Sequence, residues 1–373
     1  MFFRTFLIFG VKINIYSNDI IDIDFLKMYE DKIDNEILYE KNIYCVKDSN
    51  ILSKYLNCFG VNNTKIVKSY IKSFYYEIDN VFIRDDFSHV VERKGKDIFF
   101  IYDYKLKNKE NKLWCIIREI VHRNTEDKGG VMLHSACLSF DNAKGMLILG
   151  GKGAGKTTLA TTLLEYNDYY FTSNERMLVR KEDMKALSIH YPLRFGIRNV
   201  INNTVLYQYI LKNYNKLTRK QNVTLEMIEE YNENKELKEN NIYKIELEIE
   251  EYLECFNKKY QPIVEPIILI VPEISSEFNG YNIKILNKEE IFNVIKEQCY
   301  TPYDKTWIEP WIEKRMKSNE DIEISANKLI TDIGNKVMGI KIKFGFDFYD
   351  ILKKNKKNYL KEKIEELYNK RAN

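Results

Sequence analysis

Apolar and polar positions alternate from Val11 to Tyr16, the period of a strand with one buried face. The opening run MFFRTFLIFGVKINIY reads as a first strand leading into it, and Ile98 to Tyr104 is a β-branched and aromatic strand. Between them, Asn50 to Phe59 changes to helical spacing behind Asp48 and Ser49. The first hundred or so residues are thus expected to be strand-rich, with one or two helices. Asn108 to Asn111 is a polar break. After it, Leu113, Ile116, Ile117, Ile120 and Val121 form one apolar stripe of a helix over Lys112 to Arg123.

From residue 131 the pattern runs strand, tight turn, strand, loop, helix, strand. Val131 to Phe140 is a strand, Asp141 to Gly145 supplies turn residues, and Met146 to Leu149 is a short buried strand. The turn is too short for a crossover helix, so these strands are expected to be antiparallel neighbours. Thr157 to Tyr166 is helical, with Leu159, Ala160, Leu163 and Leu164 on one face. Tyr169 to Thr172 and Met177 to Val179 are further strands. Asn232 to Asn241 reads as a surface loop, Glu265 to Ile274 as a buried strand between two prolines, and Val337 to Phe344 as the last clear strand. Ile351 to Arg371 is a lysine-rich helix with Leu360, Ile364 and Leu367 on one side. Its basic face is either a solvated edge or a docking surface for an acidic peptide. The pattern predicts an α/β domain with a mixed sheet over 108–350. A β-rich α+β domain over 1–107 precedes it, and a basic helix over 351–373 follows.

Composition narrows the class. The chain has 373 residues, 45% of them apolar and 30% charged, which is ordinary for a globular protein with an ample core. A formal net charge of +3 offers no global attraction to nucleic acid. The six cysteines share no short spacing, which argues against a zinc site and against a disulfide framework. Arg4 interrupts the short apolar start, which has no small-residue cleavage site, and no run approaches the roughly eighteen apolar residues of a membrane span. A cytoplasmic protein without a membrane partner is expected.

The strongest chemical signal is Gly150-Gly151-Lys152-Gly153-Ala154-Gly155-Lys156-Thr157, which satisfies G-x-x-x-x-G-K-[ST] between an apolar strand and a helix. Glycines let the backbone curl so that several N–H groups point at a β-phosphate. The helix start, at Lys156, Thr157 and Thr158, adds its partial positive charge. Lys156 is suited to the β- and γ-phosphates of ATP, and the Thr157 hydroxyl to Mg²⁺. Such a loop names no reaction by itself.

Its neighbours narrow the choice. Glu175 follows the strand after the loop helix, where a carboxylate can serve Mg²⁺ or take a proton from an attacking hydroxyl. Asn174 beside it is a candidate neutral metal ligand. His134 lies in the strand before the loop strand, where a lone histidine reads first as a core residue. Arg194 and Arg198 lie four apart in HYPLRFGIR and suit either a transferred phosphoryl group or structural ion pairs.

The segment HSACLSFDNAKGMLILGGKGAGKTTLATTLLEYNDYYFTSNERMLV resembles the HPr kinase/phosphorylase superfamily, including the kinase-like proteins found beside genes for ribosomally made peptides. The resemblance covers roughly residues 131 to 200, with shorter echoes in VEPIILIVPEI and around Ile340 to Asp347. It implies a P-loop kinase domain of HPr kinase-like type. It casts His134 as an active-site histidine, Lys156 and Thr157 as phosphate and Mg²⁺ contacts, and Glu175 as the catalytic carboxylate. It also implies a homo-oligomer. Two departures weigh against a reverse, dephosphorylating activity. Asn174-Glu175 stands where the family has paired aspartates, and the family's further metal-binding glutamate has no counterpart after residue 180.

The leading expectation is a Mg·ATP-dependent kinase whose acceptor is a hydroxyl of a peptide, a small protein or a small molecule. Two others stay open: a nucleotide-gated binding module with little chemistry, and an ATPase or a transferase of AMP or pyrophosphate. The acceptor surface is expected in residues 200–330 and the N-terminal domain.

Overall fold

The computed structural model describes residues 2–30, 39–58, 65–70, 73–140, 142–189, 192–218, 223–234, 244–303, 312–355 and 357–372. The chain is α/β with mixed sheets and divides into two compact units. The first comprises Met1–Met132, Leu178–Asp183 and Tyr300–Leu329, and the second Leu133–Met177, Met184–Cys299 and Ile330–Asn373.

The first unit holds β1 (Phe2–Ile8), β2 (Val11–Ser17), β3 (Glu40–Lys47), β4 (Lys65–Tyr70), β5 (Ser73–Ile78), β6 (Val81–Arg84), β7 (His89–Lys94) and β8 (Asp97–Tyr102). They form one sheet in the order β1-β2-β3-β8-β7-β6-β5-β4, parallel at β2–β3 and β3–β8 and antiparallel elsewhere. The β1–β2 hairpin closes through Phe9 and Gly10, both at positive φ, as a two-residue turn requires. Helix α1 (Ser49–Asn57) starts where the Asp48 carboxylate accepts the N–H groups of Asn50 and Ile51.

The border expected near residue 107 falls inside this unit. Helix α2 (Lys109–Asp127) belongs here because its apolar stripe is fully covered, and Trp114 stacks on Tyr29 at 4.5 Å between ring centres. The other side of α2 is buried as well, and it is charged. Arg123 donates to Glu119 (3.0 Å) and Glu126 (2.7 Å), and Arg315 donates to Glu126 (3.1 Å).

The second unit is built on β9 (Val131–Ser139), β10 (Lys144–Leu149), β11 (Tyr170–Ser173), β12 (Arg176–Val179), β13 (Ala186–Ser188), β14 (Leu193–Gly196), β15 (Lys244–Leu247), β16 (Ile263–Ile274), β17 (Tyr281–Ile285) and β18 (Met338–Phe344). Its main sheet runs β10-β9-β12-β13-β16-β18-β17, with β11 also on β9 and β10 also on β16. As expected, β9 and β10 are antiparallel neighbours. In contrast, β10–β16 and β16–β18 are parallel. β16 runs through both of its prolines, and Pro266 sits at a register shift where the ladder is already interrupted.

Helix α3 (Lys156–Tyr166) lays Leu159, Ala160, Leu163 and Leu164 on this sheet, all buried. Helices α4 (Ile197–Asn202), α5 (Thr204–Asn213), α6 (Leu225–Glu233), α7 (Ile249–Phe256) and α8 (Lys288–Glu297) follow, and α9 (Asn319–Lys336) belongs to this unit from Ile330 onward. The loop expected over Asn232 to Asn241 starts within the end of α6, and residues 235–243 lie outside the described residues. The C-terminal helix is two helices, α10 (Phe348–Lys354) and α11 (Tyr359–Ala372). They part at Asn358, which takes a φ of 68° while its side chain bonds the Asp168 backbone and carboxylate. Leu360 and Ile364 are buried in the second unit's core, as the stripe predicted. Among the described residues no helix is long and apolar enough to cross a membrane.

Candidate phosphate-binding site

Three parallel strands, β10, β16 and β18, end at one edge of the second unit's sheet. Their registers place Ile148 beside Ile270, and Ile274 beside Phe344. The chain leaving β10 is the glycine-rich loop, so the loop lies at the carboxyl ends of parallel strands, where open α/β sheets bind ligands. Gly150 abuts Ala154 and Pro272, where a Cβ would lie 3.1 Å from the Ala154 methyl. Gly155, at φ 96°, is a position strained for any side chain, and a Cβ there would lie 3.0 Å from Phe344 and 3.3 Å from Ile274. Beside Gly151 and Gly153, by contrast, a Cβ would meet nothing within 4 Å. The loop is therefore tight on its sheet side and open on its other side, the form a phosphate cradle needs.

Lys156 begins α3 and is only 9% exposed. Its ammonium donates to the carbonyls of Gly150 (2.6 Å) and Gly151 (3.2 Å), folding back over the loop. Burial pushes its pKa down to about 8, and the nearby Glu175 carboxylate works against that shift. The Thr158 hydroxyl donates to Asn199 (3.4 Å), while Lys152 stands in solvent.

The other sequence-predicted residues arrive through strand register. On β9, Ser135 faces Leu149 of β10, and its N–H donates to the Glu175 carbonyl (3.0 Å) on the opposite side. Asn174 and Glu175 form the bend between β11 and β12, and both are half-buried. His134, also half-buried, thus sits between the start of the loop and Glu175. Its own N–H donates to the Gln298 carbonyl (2.8 Å). Lys156, Glu175 and His134 gather at the same sheet edge.

The two arginines do not stay together. Arg194 faces Glu246 across the β14–β15 ribbon and forms a 2.9 Å ion pair with it. The strand ends at Gly196, α4 begins, and Arg198 lines a cavity beside α3. The chain direction changes between them, so only Arg198 faces that space.

Sequence reasoning did not find this cavity, of about 510 Å³. Thr157, Thr158, Thr161 and Thr162 form its α3 wall, α4 and the start of α5 a second, and the residues after β18 a third. Glu165 sets two of its side chains by accepting from Tyr349 (2.8 Å) and Asn203 (2.7 Å). Burial raises the Glu165 pKa against the pull of those hydrogen bonds. The sequence signal was the Gly345-Phe346-Asp347 run after the last strand, which periodicity leaves blank.

No family model matches the chain, and no curated protein matches it. A buried lysine with a lowered pKa, a carboxylate within its field and a histidine on the strand between suit the binding of a polyanion and the movement of a proton beside it. Among the described residues no group of three or more His, Cys, Asp or Glu side chains is placed to hold a metal.

Proposed function

We propose that the chain is a Mg·ATP-dependent P-loop kinase, similar in type to HPr kinase/phosphorylase, that transfers the γ-phosphate to a hydroxyl of a peptide, a small protein or a small molecule. One observation carries this reading. The β10-β9-β12 register brings the open glycine loop, Lys156, His134 and Glu175 to one edge. The open side of Gly151 and Gly153 fits a phosphate, and Thr157, Asn174 and Glu175 supply oxygens that would hold Mg²⁺ alongside phosphate oxygens. Bound Mg²⁺ would offset the charge of the polyphosphate.

In this mechanism Glu175 takes the proton of the acceptor hydroxyl. The acceptor oxygen forms a bond to the γ-phosphorus as the bond from that phosphorus to the bridging oxygen breaks, and ADP leaves with that electron pair. Lys156 turns from the Gly150 and Gly151 carbonyls to the oxygens of the group in transfer, and the loop N–H groups hold the β-phosphate. His134, between loop and carboxylate, orients Glu175 or the phosphate.

A general base contributes about 10²–10⁴-fold to a proton-transfer step. Glu175→Gln keeps the shape and removes the proton acceptor. The variant is expected to bind ATP within about tenfold of wild type and to transfer labelled γ-phosphate at least about a hundredfold more slowly. Equal transfer by both proteins would refute the assignment. Asn174 favours a second reading, because it leaves Glu175 as the sole carboxylate of the 174–175 bend. A nucleotide-gated binding module would bind ATP tightly and transfer phosphate to no hydroxyl.

A further inference from the structure

We propose that the cavity beside α3 takes the nucleoside end of the bound triphosphate, and that Phe346 is the surface on which the base stacks. The inference rests on the P-loop reading above and adds what holds the other end of the ligand.

A triphosphate seated in the loop has two ends. Lys156, Glu175 and His134 claim one of them, and none of the three lines the cavity. The cavity begins at Thr157 and Thr158, the first turn of α3, and continues one turn onward to Thr161 and Thr162. A ligand leaving the loop away from Glu175 therefore runs along α3 into this space. At about 510 Å³ it lies within the range of small-molecule sites.

Phe346 is 66% exposed, on a loop that is otherwise pinned. Gly345 packs so closely that a Cβ there would lie 1.9 Å from the Phe278 carbonyl oxygen, and its N–H donates to the Gly280 carbonyl (2.9 Å). On the other side, both carboxylate oxygens of Asp347 accept the Gly280 N–H at 2.9 Å. A large aromatic ring at the rim of the cavity, on a loop tied down on both sides, presents its face to whatever occupies that space. Base–aromatic stacking is worth about 1–3 kcal/mol and tolerates any base. Arg198 and Asn199 on the facing wall offer donors to ribose or base. Purines, with the larger π-face, should bind better than pyrimidines.

The test compares Mg²⁺ complexes of ATP, CTP and inorganic tripolyphosphate by calorimetry, on wild type, Phe346→Ala and Phe346→Trp, with melting points to confirm folding. In the expected result Phe346→Ala loses at least about fivefold in ATP affinity, the low end of the stacking range, and keeps its tripolyphosphate affinity within about twofold. Wild type prefers ATP to CTP, and the tryptophan variant keeps ATP affinity with its fluorescence quenched by the base. Unchanged ATP affinity in Phe346→Ala would overturn the stacking role and leave the phosphate loop standing. An equal loss for ATP and tripolyphosphate would show a damaged phosphate site and also overturn it. If wild type bound neither ligand, the loop reading would fall, and this inference with it.

Discussion

Replacing Lys156 with methionine should make the ligand-free protein more stable while ending nucleotide binding. Lys156 is 9% exposed, and burial pushes its pKa from the ordinary 10.5 down to about 8. The difference, 10.5 − 8 or about 2.5 units, corresponds to about 3 kcal/mol of unfavourable free energy for the charged form. Its hydrogen bonds to Gly150 and Gly151 return part of that: water can serve the exposed Gly151 carbonyl once the ammonium is gone, whereas the buried Gly150 carbonyl loses its 2.6 Å partner. A net gain of about 1–2 kcal/mol is expected for Lys156→Met at pH 7, or a few degrees in melting temperature. The pH dependence gives a second signature. Between about pH 8 and 10.5 the unfolded chain holds more protons at this residue than the folded one, so its contribution to stability rises with pH. The advantage of the variant should therefore be full below pH 8 and shrink toward pH 10.5. Urea titrations of both proteins from pH 7 to pH 10 measure this. Tyrosines that titrate in the same range cancel in the difference. A variant less stable than wild type at pH 7, or a gap that does not move with pH, would refute the reasoning.

Two other substitutions test the roles of buried or half-buried groups. His134→Ala should lower phosphotransfer at least about tenfold with the melting point within a few degrees, whereas a purely structural histidine would show a stability loss on the order of 1–3 kcal/mol with activity per folded molecule intact. Glu126→Gln should destabilise the first unit by about 3–5 kcal/mol, because it leaves the buried Arg315 without its anion and Arg123 with Glu119 alone. Burial alone would raise the Glu126 pKa, but His122, Arg123 and Arg315 hold it well below the ordinary 4.5. Its contribution is thus complete above about pH 4.5 and lost as the pH falls further, so acid unfolding of Glu126→Gln should be less steep than that of wild type.

The readable parts of the chain were those where a single period or motif determines local structure. The glycine loop needs only its own residues, and the stripe of Leu159, Ala160, Leu163 and Leu164 states which face of α3 is buried. The β9–β10 hairpin followed from a turn too short to cross over. Domain assignment was harder, because α2 carries Glu119, Arg123 and Glu126 on a face that is buried all the same. Charged residues at helical spacing look like a solvated surface until Arg315, from nearly two hundred residues away, is seen to cover them. The break at Asn358 was hidden for a related reason. Its left-handed backbone is held by Asp168, a tertiary partner that no local pattern contains.

The site divides along the same line. Lys156 and Thr157 belong to a contiguous motif, and Glu175 was reachable by counting one helix and one strand past it. The cavity was not, since its walls come from α3, from α4 and α5, and from the turn after β18, segments far apart in the chain that the parallel pairing of β10, β16 and β18 helps bring to one edge. Phe346 is the sharpest case. In sequence it is one more aromatic in FGFDF, with nothing to separate it from Phe344 and Phe348, which are buried. Gly345 and Asp347 fix the turn that sends Phe346 outward instead, and that turn depends on Phe278 and Gly280 far upstream. Stacking needs an aromatic ring at the rim of the cavity, and that placement comes from tertiary contacts no local pattern contains.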